Sequence, residues 1–167
     1  IRSCLVGSEM CIRDRYADSV SICFSKGLGA PAGSILCFPE NMEHKVRRQR
    51  KILGGALRQV GVLGAACLYA VKNNIKRLKE DHERASFLAK ELNPYHCKKN
   101  GKDLDSFTNM VFFEPIEKKG SDLFSFLKNK GIIISKPSPE TRLVMHLNIT
   151  DEVLNSFIKT VKEFYGD

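Results

Sequence analysis

Two positions in this sequence combine a reactive side chain with a setting that could use it. The first is Lys26. It follows a run in which Val20, Ile22 and Phe24 alternate with Ser21, Cys23 and Ser25, the period of a strand. After it come Gly27, Gly29, Ala30, Pro31, Ala32 and Gly33, a loop with little side-chain bulk whose main chain can approach a ligand closely. A lysine held in that setting sheds hydration, which favours the neutral amine and frees it as a nucleophile. That is the chemistry needed to form an imine with an aldehyde. The same spacing also suits a solvated turn lysine, since a strand followed by glycines is common punctuation. A phosphate loop of the G-x-x-x-x-G-K-[ST] type is absent. The second position is Arg142. Alternation along Thr141 to Ile149 puts Leu143, Met145, Leu147 and Ile149 on one face, and Arg142, Val144, His146 and Asn148 on the other. The first face packs on a core. The second presents a guanidinium and an imidazole, and His146 reads most simply as a structural strand histidine.

The elements that must hold these residues follow from patterning. Ser34 to Phe38 has no polar alternation, as in a strand buried on both faces, and its short glycine-rich link to the first strand lets the two pair. Pro39 ends it. Glu40 to Leu53 reads as a helix with Glu40 and Glu43 at its start and Lys45, Arg47, Arg48, Arg50 and Lys51 later, a polarity that complements the helix dipole. Gly54 and Gly55 stop it. A second helix, rich in small residues, starts at Arg58 and is expected to be buried or interfacial. Ile75 to Leu92 is amphipathic, with Ile75, Leu78, Ala85, Leu88 and Leu92 on one face, and Asn93-Pro94 ends it. From Tyr95 onward a small α/β unit is expected. It comprises a turn at Asn100-Gly101, a strand over Thr108 to Phe113, a helix capped by Ser121 and stopped by Gly131, and a strand over Gly131 to Ser135. A loop from Lys136 to Glu140, the strand bearing Arg142, and a closing helix capped by Thr150 complete it. That last helix carries the stripe Val153, Leu154, Phe157, Ile158, Val161, Phe164.

The chain has 167 residues and a net charge of +8, enough for one ordinary domain or parts of two. The basic residues are interleaved with acids, which favours an enzyme surface over a nucleic-acid face. The run RRQRK at 47–51 lacks flanking aromatics and a binding module. No C-x-x-C pair occurs among the six cysteines, so no metal site is expected. Cys23, Cys37 and Cys67 sit in apolar runs like buried free thiols, which fits a reducing compartment. The apolar run from Val60 to Val71 is too short to cross a bilayer. Residues 1–15, IRSCLVGSEMCIRDR, show no clear period and no signal-peptide pattern. The string resembles a translated sequencing adapter and is set aside as non-native, which would place the natural protein's continuation upstream of Tyr16.

Three stretches carry a family resemblance. SVSICFSKGLGAPAGS, residues 19–34, resembles the cofactor-lysine segment of the low-specificity L-threonine aldolases, which are pyridoxal-phosphate (PLP) enzymes of the aspartate-aminotransferase-like group. RKILGGALRQVGVL resembles the R-K-x-L-G-G-x-x-R-Q stretch that follows that lysine. RLVMHLNI resembles the R-L-V-T-H-L-D-[VI] strand near the family's C-terminal end, with Met145 and Asn148 in place of its Thr and Asp. The resemblance implies an α/β fold in three parts. After the non-native residues 1–15, residues 16–73 are the end of the large PLP-binding domain and 74–167 a small C-terminal α/β domain. It implies that Lys26 is the Schiff-base lysine, that Arg142 binds the substrate carboxylate, and that Arg58 and Lys51 contact cofactor phosphate or substrate. It further implies cleavage of L-threonine or L-allo-threonine to glycine and acetaldehyde, in a cytoplasmic homo-oligomer built as a dimer of dimers. No nucleic acid or membrane partner is implied. The chain alone is expected to be inactive, because the acid beside the pyridine nitrogen and the ring-stacking group lie before the lysine in that family. Another PLP lyase or transferase of the same fold is the alternative, and a basic nucleic-acid-binding module using RRQRK is a further one.

Overall fold

The computed structural model describes residues 17–98, 101–116, 122–135 and 140–166. The chain forms two compact units, one ending at Lys76 and one beginning at Arg77. The adapter-like residues 1–15, the cap expected at Ser121, Asn100 and most of the proline loop lie outside the described residues.

In the first unit, β1 (Val20–Cys23) and β2 (Ser34–Cys37) pair antiparallel, with Val20 opposite Cys37 and Cys23 opposite Ser34. The pairing expected across the glycine loop is therefore present. β2 is not buried on both faces, because it alternates exposed and half-buried residues, with Leu36 43% exposed. A two-stranded ribbon has only one face and one edge covered, so an all-apolar strand is left partly in solvent. Cys23 is likewise exposed and Cys37 and Cys67 half-buried, which corrects the expectation of buried thiols.

A 3-10 turn at Glu40–Met42 leads into α1 (Glu43–Ile52). Glu43 pairs with Arg47 at 2.7 Å on its first turns. Its end is closed as the glycines predict: Gly54 takes φ +78, and the Gly55 N–H donates to the Arg50 carbonyl while Arg50 Nε donates to the Gly55 carbonyl, at 2.8 and 2.9 Å. α2 (Gly61–Asn73) begins three residues after Arg58, with Val60 as N-cap. Arg58 lies in the preceding turn, where Gln59 takes the left-handed φ of +48. A backbone in that region cannot continue a right-handed helix, so the helix does not start at Arg58. Nor is α2 buried in this unit: only Ala70 is enclosed, and Val62 and Tyr69 are 81% and 66% exposed.

The second unit has its own core. α3 (Leu78–Leu92) starts three residues later than expected, leaving Ile75 outside it; of the stripe, Ala85, Leu88 and Leu92 enter the core, joined by Ala89, while Leu78 is half-buried. A sheet of β3 (Ser106–Phe107), β4 (Met110–Phe113) and β5 (Thr141–Val144) runs antiparallel in that order. The expected strand over 108–113 is in fact a hairpin turned at Thr108, which takes φ +57. α4 (Leu123–Asn129) is capped by Asp122, whose carboxylate accepts the Phe124 N–H at 2.9 Å. α5 (Asp151–Tyr165) is capped by Thr150, whose hydroxyl accepts the Val153 N–H at 3.4 Å. Its stripe packs Leu154, Phe157, Ile158, Val161 and Phe164 into the core with Val111 and Phe113. Val153 stays 51% exposed.

Ile132–Ser135 is not a strand. It has β-prone residues but no ladder partner among the described residues. Among the described residues it is tied by the Ile132 N–H donating to the Leu127 carbonyl and by the Thr141 hydroxyl donating to the Ser135 carbonyl at 2.9 Å, and Ile132 and Ile134 pack against the core. β5 is also shorter than the alternation suggested. Asn109 takes over beyond it, its carbonyl accepting the Met145 N–H at 2.8 Å and its amide donating to the Met145 carbonyl at 2.7 Å. The chain then turns at His146, whose carbonyl accepts the Ile149 N–H.

Candidate active site

Lys26 stands at the mouth of the β1–β2 hairpin. The Phe24 N–H donates to the Gly33 carbonyl at 2.9 Å, one step beyond the strands, and closes the loop's neck. Inside it, the Gly29 N–H donates to the Lys26 carbonyl at 2.8 Å and the Ala30 N–H to the Phe24 carbonyl at 3.0 Å. Gly29 and Gly33 take φ +71 and +122, conformations that favour glycine. The main chain carrying Lys26 is thus folded back on itself and internally bonded. Its side chain is exposed. The hairpin therefore does not supply the desolvation expected for its amine, because nothing in the ribbon covers it. Among the described residues no carboxylate pairs with it.

Lys51 lies in the last turn of α1, where its carbonyl accepts the Gly54 N–H. Arg58 follows in the turn before α2. Both are exposed, and among the described residues neither has an acidic partner. Two basic neighbours are engaged elsewhere: Arg47 with Glu43, and Arg50 with the end of its own helix. Lys51 and Arg58 are left available for an anion.

Arg142 sits on β5 in the second unit, directly across from Phe112 on β4. Thr141 and Leu143 point into the core and Arg142 points out, as the alternation required. A cleft of about 350 Å³ opens beside it, walled by Ile132, Ile134, Val144, Met145 and Val153. A guanidinium at the edge of an apolar cleft, with no carboxylate partner among the described residues, is suited to a small carboxylate. His146 lies beyond the end of β5 rather than on a strand as expected; its Nδ1 accepts the Asn148 N–H at 3.3 Å within the turn. No group of His, Cys, Asp or Glu among the described residues could hold a metal ion.

Three residues escaped the sequence reading. Asp81 is fully buried in α3, paired with Arg77 one turn earlier. Their spacing of four was visible, but an acid on the apolar stripe reads as an exception until its partner is seen to enter with it. Cys67 and Asn74 bond to the lysine loop, and nothing in their spacing pointed there.

The sequence matches the beta-eliminating lyase family over residues 6–114. It is 40% identical over 149 residues to the low specificity L-threonine aldolase of Escherichia coli O157:H7, covering 89% of this chain and 43% of that protein. It is 38% identical over 141 residues to low-specificity L-threonine aldolase 1 of Arabidopsis thaliana, covering 81% and 39%. The chain thus spans about two fifths of the length of these relatives. Among solved structures, a putative L-allo-threonine aldolase from Listeria monocytogenes superposes with TM-score 0.67 at 21% identity, over 93% of this chain and 46% of that one. A structure of SPT with its PLP internal aldimine superposes with TM-score 0.59 at 17% identity, over 87% and 39%. The structural likenesses confirm the α/β fold class. The chain belongs to the beta-eliminating lyase family.

Proposed function

We propose that this chain carries the cofactor lysine and the carboxylate-binding arginine of a PLP-dependent aldehyde-lyase. Its reaction is cleavage of L-threonine or L-allo-threonine to glycine and acetaldehyde. The observation that carries the reading is the setting of Lys26. An exposed primary amine, with no acidic partner among the described residues, stands on an internally hydrogen-bonded glycine loop, in a chain 40% identical to a named low specificity L-threonine aldolase. On this reading residues 16–73 are the end of the large domain and 74–167 the small one.

The residues present suit PLP. Lys26 offers the amine that holds an aldehyde group, and Arg58 and Lys51 offer cationic partners for a phosphate or a substrate charge. When bound, PLP supplies the electron sink that lets a bond to the α-carbon break. The protein's own part is aim. Arg142 grips the substrate carboxylate with two parallel N–H donors, which fixes the amino acid's rotation about its α-carbon and so selects the bond to Cβ.

The chain by itself is inactive on this reading, which is supported by its spanning 43% of the length of the Escherichia coli relative. The assembly is a homo-oligomer, supported by the uncovered apolar side chains of α2. A cytoplasmic setting is supported by the free thiols Cys23, Cys37, Cys67 and Cys97.

The test is acetaldehyde release from L-threonine by the protein extended to the length of its relatives. Lys26→Ala should abolish it, whereas turnover retained in that variant would overturn the assignment. The 167-residue chain mixed with PLP should give no stable absorbance band. A second reading, a PLP-dependent transferase of the same fold, is favoured only by the likeness to SPT. It predicts a cofactor-loaded protein that releases no aldehyde from L-threonine.

A further inference from the structure

The loop that follows Lys26 is held from outside by a single helix face. Asn74, the C-cap of α2, donates its amide to the Leu28 carbonyl at 2.7 Å. Cys67, two turns earlier, donates its thiol to the Ala32 carbonyl at 3.3 Å. A separation of seven residues brings both side chains to the same side of a helix. Ala70 lies between them on that side and is 1% exposed, the best-buried residue of α2. The two carbonyls are peptide groups on either side of Ala30, which is itself buried. The fit is close: a Cβ placed on Gly33 would come within 2.9 Å of Cys67 Sγ. Both bonds reach backbone acceptors that the loop's internal hydrogen bonds leave free, since those use the carbonyls of Phe24, Lys26 and Gly33.

We propose that Cys67 and Asn74 are positioning residues for Lys26: they clamp the two halves of its loop onto α2 and so fix where its amine is presented. The functional half of this inference rests on the reading of Lys26 as the cofactor lysine. The clamp itself does not. An exposed lysine on a bare two-stranded ribbon would otherwise sample many backbone orientations, because the ribbon is marginal alone. Two side-chain donors on a rigid element restrict the loop without occupying the space in front of the amine.

Two measurements separate the clamp from its consequence. The first is amide hydrogen exchange on the chain as it stands. Asn74→Leu and Cys67→Ala should each speed exchange of the Gly29 and Ala30 amides about fivefold, the loss of one net hydrogen bond. The β1–β2 ladder amides should keep their rates. Cys67→Ser, which keeps a donor, should restore them. Unchanged loop rates, or equal acceleration throughout the first unit, would overturn the clamp. The second is the rate at which PLP reconstitutes the apo form of the protein at its relatives' length, read from cofactor absorbance. It should fall about fivefold in the same two variants and recover in Cys67→Ser. Faster loop exchange with unaltered reconstitution would overturn the positioning role. A parent protein that takes up no PLP at Lys26 would instead sink the proposed function, with the exchange result still deciding the clamp.

Discussion

Arg142, proposed above as the carboxylate-binding residue, contributes little to the fold. It is exposed on β5, and its backbone neighbours Thr141 and Leu143 do the packing. Arg142→Ala should therefore shift stability by no more than about 0.5 kcal/mol. In the extended protein it should raise KM for the amino acid roughly 10- to 100-fold, the weight of a charge-assisted hydrogen-bond pair. An unchanged KM would remove Arg142 from the site. Tyr165 shows the opposite balance. Its hydroxyl donates to the Ile116 carbonyl at 2.7 Å and its ring stacks on Tyr95 at 4.7 Å. Burial pushes its phenol up to about 12. The unfolded chain loses that proton near pH 10 and the folded chain near 12, so between them the unfolded state binds fewer protons and stability falls as pH rises. Urea midpoints should decline across that window, and Tyr165→Phe should flatten the decline. At this scale the sequence showed where reactive side chains sit in a distinctive setting, because glycines mark Lys26 and alternation puts Arg142 on the outward face of its strand. It did not show the exposure of Lys26 or the bonds from Cys67 and Asn74, which depend on how the hairpin and α2 meet.

Among the elements, α3 depends most on one pair. Asp81 is wholly buried and Arg77 nearly so, the guanidinium meeting both carboxylate oxygens. Arg77→Met leaves a carboxylate in the core without its partner and should cost about 3–5 kcal/mol. Adding Asp81→Leu should recover most of that loss. Denaturant unfolding of the single and double variants checks both, and a fully additive double would show that the two residues do not act as a unit. Elements whose signals are local were legible: the Thr150 cap, the α5 stripe and the glycine stop after α1 all rest on residues within a turn or two. Elements that need a distant partner were not. Ile132–Ser135 has strand-forming side chains but no ladder beside it, and β5 yields to Asn109 after four residues. The start of α2 moved from Arg58 to Gly61 because Gln59 adopts a left-handed backbone that no propensity announces.

The two units differ in kind. The second packs a continuous core from three helices and a sheet, whereas among the described residues the first encloses only Ala30 and Ala70. Burial of apolar area drives stability, so the first unit should open at far lower free energy. Brief trypsin treatment should cut first at Arg47, Arg48, Arg50 or Lys51, all exposed on α1, and leave a resistant piece beginning near Arg77. Equal loss of both units would contradict this. The Arg77–Asp81 pair also bears on the order in which the second unit assembles. Its partners are four residues apart on one helix, so they meet as fast as the helix itself forms, in roughly 0.1–1 μs. Contacts such as Lys162 to Glu91 span 71 residues and wait on slower chain closure. The acid that ends up deepest in the unit thus arrives already neutralised, and the collapse that buries it never has to search for its counter-charge.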